Sequence, residues 1–421
     1  MQLKAVTVDP VFGLAPMAGM TDTAFRRLVK RQGGCGLVVT EMVSSEGLVR
    51  GIDKTLEYAE YTEEERPVSV QIFGGDPGRM AEAARVVEGM GADIVDVNMG
   101  CPVPKIANRS AGCSLMREPE HAARVVRTMA GAVGIPVTVK MRAGWNERQV
   151  NAPELARMME EAGAAAVTVH GRTAAQSYRG VSDWDLIARV AAAVKIPVFG
   201  NGDCLEPEQI LERLCSSGVS GVLVGRGILR NPWLLAQAAD LAAGRPAREV
   251  TLADRGRFLL EYIDLLLGER VNEPAGFRHE APSLSAGPGV HPGAADGSFS
   301  SVAQGFSRSP FVAQGFSPAN QRSSVGRAFR PAEGEAAISV GQGLSPALNR
   351  RSGGALAPPI AGQTRDPRAQ SRERWVINKL RALCAWYTKG LDGGSHLRVS
   401  INRAESIAEL RDLIHSFFHL S

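Results

Sequence analysis

The sequence predicts an α/β fold, a (β/α)8 TIM barrel, followed by a small all-helical domain. Three observations point to it. Short apolar, β-branched runs alternate with longer amphipathic segments rich in Ala, Arg and Glu up to about residue 240; eight such runs can be picked out; and polar, glycine-rich motifs gather where the runs end. An open doubly wound sheet would also alternate in this way, but no GxGxxG fingerprint follows the first run.

The strands are expected at Val11–Ala15, Gly36–Thr40, Val68–Phe73, Ile94–Met99, Pro136–Met141, Ala165–His170, Pro197–Gly200 and Gly221–Gly225, most of them entered through a helix or a Pro or Gly boundary. Active sites of such barrels lie on the loops leaving the C-terminal strand ends. Those places carry Ala15-Pro16-Met17-Ala18-Gly19-Met20, Gln71, Asn98-Met99-Gly100-Cys101-Pro102, Lys140-Met141-Arg142, His170-Gly171-Arg172, Asn201-Gly202-Asp203 and Gly225-Arg226-Gly227.

Beyond the barrel, Asp254–Val271, Arg374–Lys389 and Ile407–His419 read as helices; the first two have apolar faces, Phe258, Leu259, Tyr262, Ile263 and Leu266 on one, Trp375, Ile377, Leu380, Leu383 and Trp386 on the other. Between them Phe277–Arg372 is rich in Gly, Ser, Pro, Ala, Gln and Arg, lacks lysine and holds near-copies, Val302–Ser307 and Val312–Ser317, with a degenerate third at Val340–Ser345. It reads as a disordered insertion that splits the helical domain. The expected organisation is 1–245 barrel, 246–276 start of the helical domain, 277–372 insertion and 373–421 remainder.

Bulk composition narrows the function classes. A chain of 421 residues exceeds one small domain, and a barrel alone takes about 250. Net charge is +4, which permits an RNA partner without requiring one. The six cysteines form no CxxC pair and no Cys/His ligand spacing, so no metal site is expected and a reduced, cytoplasmic compartment fits. No run of about 18 apolar residues and no signal-peptide core occurs, and neither membrane insertion nor export is expected.

The strand-end residues suggest chemistry. Glycine-rich turns after strands seven and eight, with Asn201, Gly202, Asp203, Gly225 and Arg226, suit the phosphate cradle frequent in this fold, because backbone N–H groups approach an anion where side chains are absent. Lys140 can supply a cation to a planar ring that gains negative charge on reduction. His170 ends an otherwise apolar strand, where a buried, satisfied histidine is the commoner meaning. Gln71 sits in an apolar run, and a buried amide needs partners on both its donor and acceptor sides. Cys101, on a loop at the mouth, is a candidate acid or nucleophile, with Lys105 and Arg109 close by to lower a thiol's pKa or to hold phosphate. Cys113 lacks a comparable setting.

Ala15-Pro16-Met17-Ala18-Gly19-Met20-Thr21-Asp22, Asn98-Met99-Gly100-Cys101-Pro102 and Gly200-Asn201-Gly202-Asp203 closely resemble the tRNA-dihydrouridine synthases, the bacterial B-type branch most nearly. The resemblance covers about residues 5–272 and resumes over about 373–410, where Ala385–Leu391 and Ile401-Asn402 match that family's helical domain. It implies FMN as cofactor, lined by Pro16, Met17 and Ala18, bonded through Gln71, contacted on its N1/O2 side by Lys140, approached by His170, and held at its ribityl phosphate by Asn201, Gly202, Asp203, Gly225 and Arg226. It implies NADPH, or NADH, as reductant, hydride transfer from flavin N5 to uracil C6, and a proton from Cys101 to C5. Asn98 would place the uracil. Lys105, Arg109 and Lys389 would contact the tRNA, with Lys379, Arg381, Arg398 and Arg403 further candidates. A monomer is expected.

Two other readings share these residues. A flavin barrel acting on a free pyrimidine would use the same cradle and cysteine, though it has no need of a basic tail. A non-catalytic RNA-binding protein would keep the barrel as scaffold, though it has no need of Lys140 and Cys101.

Overall fold

The computed structural model describes residues 1–107, 110–268 and 367–420, and for Lys105 and residues 367–371 the backbone alone. Arg109, the end of the helix expected up to Val271, and the near-repeats of the expected insertion lie outside them.

Eight parallel strands close into a barrel. They are β1 (Phe12–Leu14), β2 (Leu37–Val39), β3 (Val68–Phe73), β4 (Ile94–Met99), β5 (Val137–Arg142), β6 (Ala166–His170), β7 (Val198–Asn201) and β8 (Gly221–Val224). Each pairs with its successor, and β8 pairs with β1 to complete the ring. All eight fall on the expected runs, within a residue or two at each end. Outward residues such as Val70, Val95, Val97, Val137, Val139 and Val167 are fully buried under the surrounding helices. Aspartates start several of these helices: Asp22, Asp76 and Asp183 accept the backbone N–H of Phe25, Arg79 and Leu186 at 2.8–2.9 Å.

A hairpin of two short strands, Gln2–Leu3 and Val6–Thr7, covers the barrel floor. Leu3 and Val8 pack there with Leu37, Ile94, Ala166, Phe199 and Leu223. Burying Leu3 in this way contributes about 2 kcal/mol.

Four helices follow the barrel: Leu252–Leu267, Pro367–Tyr387, Gly394–Arg403 and Ile407–Phe417. The first two meet, as their apolar faces predict: the Phe258 and Tyr387 rings stack 5.6 Å apart and the Tyr387 hydroxyl donates to the Arg255 carbonyl at 2.9 Å. Three details correct the expectation. The second helix begins at Pro367, so the last residues assigned to the insertion belong to it, and Arg372 Nε donates to the Leu266 carbonyl at 2.9 Å. Its buried seam is Val376, Ile377, Leu380, Leu383, Cys384 and Tyr387, while Trp375 is 39% exposed, with Arg372 and Lys379 over its ring. Gly394–Arg403 went unpredicted because two glycines and a serine open it. Among the described residues no helix is long and apolar enough to cross a membrane.

Candidate active site

Side chains of a barrel strand alternate between the interior and the helices, so one inward position fixes its neighbours at i±2. Ser69, Asp96, Thr138, Lys140, Thr168 and Phe199 line the interior. By the same parity Gln71, Asn98, Arg142, His170 and Asn201 point inward at the C-terminal end. Strand register sets Gln71 beside Asp96, Asn98 beside Lys140, Arg142 beside His170, and His170 beside Asn201. The inner wall therefore changes from apolar at the floor to polar at the mouth.

Cys101 is half-buried on the loop after β4, and three contacts fix that loop. Asn98 Oδ1 accepts the N–H groups of Cys101 at 2.9 Å and Gly100 at 3.2 Å; Arg142 Nε donates to the Gly100 carbonyl at 2.7 Å; and the Cys113 N–H donates to the Cys101 carbonyl at 3.1 Å. Burial pushes the Cys101 thiol up, with Arg142 opposing. Burial thus favours the protonated thiol, as a proton donor requires, while the Lys105 side chain and Arg109, from which a lowering was expected, lie outside the described residues. Cys113 is fully buried and its thiol is pushed up to about 11, burial again leading.

Gln71 finds both partners within the protein: its Nε2 donates to Asp96 Oδ2 and its Oε1 accepts from Asn98 Nδ2, each at 2.7 Å. One N–H and one lone pair remain for a ligand. Among the described residues Lys140 Nζ has one hydrogen-bond acceptor, Asn201 Oδ1 at 3.3 Å, leaving donors to spare. Burial, with Arg142 adding to it, lowers Lys140 to about 8, although Asp96 pulls the other way. Burial and the cations Lys140, Arg142, Arg172 and Arg226 together hold His170 well below the ordinary histidine range, so the ring is neutral.

The rim after β7 and β8 is cationic. Arg172 clasps Asp203 with both terminal nitrogens at 2.9 and 2.7 Å, Arg226 adds a contact at 3.3 Å, and the Ser182 N–H donates at 2.8 Å. Burial works against the Asp203 charge, but these partners hold its carboxyl below the usual range. Asp203 has φ 49°, a left-handed conformation that short polar residues tolerate. Gly202 before it has φ 137°, and a Cβ there would lie 2.1 Å from Ser182 Oγ. The turn thus admits no side chain at Gly202 while presenting Arg226 to the mouth. A flat ring with an anionic tail fits this arrangement: spare donors at Lys140, an amide edge at Gln71, and a guanidinium at the rim. Among the described residues no group of three or more His, Cys, Asp or Glu is placed to hold a metal ion.

The loop after β1 carries Pro16, Met17 and Ala18. Its Gly19 N–H donates to Glu41 Oε2 at 2.5 Å, and Lys379 from the second tail helix donates to the Gly19 carbonyl at 3.1 Å. Lys379 also pairs with Asp22 at 3.0 Å and Glu41 at 3.5 Å. It is therefore committed to the barrel, against the expected phosphate contact. Arg381 likewise donates to the Ile401 and Ala404 carbonyls, and Arg398 to Thr388 Oγ1. Lys389 is exposed, 4.2 Å over the half-buried Trp386 ring, and Arg403 is exposed as well. Tyr387 is fully buried, as its helical spacing suggested.

Sequence reasoning assigned no role to Asp96, Arg142, Arg172, Glu41 and Tyr178. Parity alone would have found two: Asp96 and Arg142 stand two residues from Asn98 and Lys140 and share their faces. Tyr178 is 60% exposed at the mouth, with Arg142 and Arg226 guanidinium groups 5.9 and 4.8 Å from its ring centre.

Comparison with known proteins agrees with this geometry. The family model described as "Dihydrouridine synthase (Dus)" matches residues 13–284. The chain is similar to a probable tRNA-dihydrouridine synthase of Rhodobacter capsulatus, 46% identical over 245 residues, covering 58% of this chain and 75% of the relative. It is similar to tRNA-dihydrouridine synthase B of Xanthomonas campestris pv. campestris, 39% identical over 297 residues, covering 70% of this chain and 89% of the relative. Among solved structures it is similar to morphinone reductase, with TM-score 0.42 and 13% identity, covering 59% of this chain and 90% of that one. With a family model matching well over half of its length, and a relative 39% identical of which it covers 89%, the chain belongs to the dihydrouridine synthase family.

Proposed function

We propose that this chain is a tRNA-dihydrouridine synthase: it reduces the C5=C6 bond of particular uridines in tRNA, with FMN as its cofactor, NADPH or NADH as reductant, and Cys101 as the proton donor. The observation that carries this reading is the Cys101 thiol, kept protonated by burial and fixed by Asn98, Arg142 and Cys113 at the mouth of a barrel whose inner wall offers Gln71 and Lys140. Membership of the family supplies the substrate class.

When bound, reduced FMN supplies a hydride to C6 of the uracil. Pro16, Met17 and Ala18 line its ring, Gln71 bonds the ring edge, and Lys140 offsets negative charge there. Arg226, with the backbone of Gly202 and Gly225, holds its phosphate. Asp203 acts by orienting Arg172 and Arg226, since their nitrogens and the Ser182 N–H occupy its oxygens. His170, neutral, packs beside the ring without adding charge. Asn98 turns to the base the N–H it otherwise gives to Met42 Sδ at 3.7 Å, and Cys101 delivers its Sγ proton to C5 from the face opposite the hydride. The target nucleotide must leave the RNA stack to enter the mouth, a smaller cost in a tRNA loop than in a continuous duplex. The tail helices carry tRNA, with Lys389 and Arg403 facing the phosphates; Lys105 and Arg109 are proposed for the same role beside Cys101. The enzyme is proposed to act as a cytoplasmic monomer.

Mass mapping of dihydrouridine in tRNA from wild-type, deletion and Cys101→Ala-complemented cells tests the proposal. Wild type alone should carry the chain's modified positions, and the purified protein should be yellow and bleach with NADPH. Unchanged dihydrouridine in the deletion strain, with a colourless protein that takes up no FMN, overturns it.

A further inference from the structure

Asp96 takes no part in the chemistry above, yet it is 4% exposed in the middle of the barrel wall. It accepts from Thr138 Oγ1 at 2.6 Å through one carboxylate oxygen and from Gln71 Nε2 at 2.7 Å through the other. From there the bonds continue outward: Gln71 Oε1 accepts from Asn98 Nδ2 at 2.7 Å, and Asn98 Oδ1 accepts the Cys101 N–H at 2.9 Å. Four side chains on three neighbouring strands thus form one directed chain from the barrel interior to the backbone of Cys101.

Its direction is fixed at both ends. A carboxylate only accepts, so Gln71 must turn its NH2 toward Asp96 and its oxygen toward Asn98. Asn98 must then turn its NH2 toward Gln71 and its oxygen toward the Cys101 loop, whose N–H groups only donate. With a neutral, apolar residue at 96 the inner end no longer holds the Gln71 amide, and a reversed Gln71 sets donor against donor at Asn98. Either Asn98 turns and uncaps the Cys101 loop, or a buried donor goes unmatched.

We propose that Asp96 is a positioning residue that sets the amide polarity of Gln71 and Asn98, and through Asn98 the place of the Cys101 thiol. This rests on the reading of Cys101 as proton donor. The same polarity leaves one N–H of Gln71 unused, so Asp96 also determines that the site offers a donor to a carbonyl edge there.

The test compares Asp96→Leu and Asp96→Asn in flavin-loaded, pre-reduced enzyme, following single-turnover dihydrouridine formation on modification-free tRNA, with Cys101→Ala alongside. An asparagine can keep the direction, its oxygen toward Gln71 and its NH2 toward Thr138 Oγ1; leucine cannot. Asp96→Leu should slow the step by about 10²-fold, the scale of a misplacement near 1 Å, with KM for tRNA changed by less than about threefold, and Asp96→Asn should recover most of the rate. A wild-type rate in Asp96→Leu, or an equal loss in both variants, overturns the proposal. Full activity of Cys101→Ala would instead remove the reading beneath it.

A swap keeps the question decidable if Asp96→Leu does not fold. Asn98→Asp alone confronts Gln71 with carboxylates on both sides and should lower the thermal midpoint by a few degrees. Asn98→Asp with Asp96→Asn reverses both bonds of the Gln71 amide, still gives the Cys101 and Gly100 N–H groups an acceptor, and satisfies each, so the midpoint should return. Effects that merely add in the double variant overturn the proposal.

Discussion

Lys379 Nζ lies 3.0 Å from Asp22 Oδ2 and 3.1 Å from the Gly19 carbonyl, so a tail side chain closes over the loop that carries Pro16, Met17 and Ala18. The Tyr262 hydroxyl donates to the same Asp22 oxygen at 2.8 Å. Removing the lysine leaves Asp22 and Glu41 facing one another, and breaking a buried pair in this way costs about 3–5 kcal/mol. Lys379→Met should therefore lower the thermal midpoint and loosen FMN, while Lys379→Arg recovers part of both. Burial opposes the lysine's charge, but Asp22 and Glu41 more than offset it and raise its pKa. The folded state then holds this proton more tightly than the unfolded chain, so the clamp's contribution is complete at neutral pH and fades only above the ordinary lysine range. Unchanged melting and flavin retention in Lys379→Met would show that the loop stands without the tail.

Cys101→Ala should keep flavin and tRNA binding yet lose turnover by about 10²–10⁴-fold, the usual contribution of a positioned general acid. Cys113 supports Cys101 through its backbone N–H, which alanine retains. Cys113→Ala should thus cost about 1 kcal/mol of stability and little rate. Equal activity of the Cys101 variant and wild type, measured by dihydrouridine yield, assigns the proton to another group.

Lys140 gives a pH signature. Its folded pKa of about 8 lies below the unfolded value, so the folded chain binds fewer protons between the two. Stability of the flavin-free protein should accordingly rise from pH about 8 toward the ordinary lysine pKa. Flavin reduction should run the other way, slowing as pH passes about 8 and the ammonium is lost, and Lys140→Arg should remove that alkaline limb. A rate that stays flat through pH 9 in the wild type contradicts the assignment of Lys140.

What the sequence made legible follows from periodicity. Eight β-branched runs gave the barrel, and strand-end position gave Gln71, Asn98, Lys140, His170 and Asn201, because parity turns all of them inward. Contacts between distant segments left no such mark. Lys379 looked like one of several tail cations, and only tertiary packing shows its pairing with Asp22 and Glu41. Asp96 could be placed by parity with Asn98, but its pairing with Gln71 and Thr138 depends on neighbouring strands and left no mark in the sequence. The seam of the second tail helix was misread at Trp375, since a large aromatic weighs heavily in a pattern although it stands exposed beneath Arg372 and Lys379, whereas Trp386 packs half-buried against the core.

The two long tail helices also make a prediction about the segment between them. Arg372 reaches the Leu266 carbonyl and Tyr387 the Arg255 carbonyl, so the chain leaves the first helix and returns to the second at nearly one place. Replacing residues 277–364 by a Gly/Ser linker an eighth as long should then preserve the packing of Phe258 against Tyr387. The chain between the two helices shortens by a little over two halvings, each lowering the closure cost by about 0.6 kcal/mol, so the shortened chain should melt no lower than wild type. Flavin content and modified positions should also persist. Residues 277–364 contain seven arginines against four acidic residues, which favours a diffuse attraction to RNA. The expected loss is a modest decrease in tRNA affinity that shrinks as salt rises, because screening removes this term from the wild type. A linker variant that fails to fold, or that binds tRNA normally but modifies different uridines, would give the segment a structural or substrate-directing role.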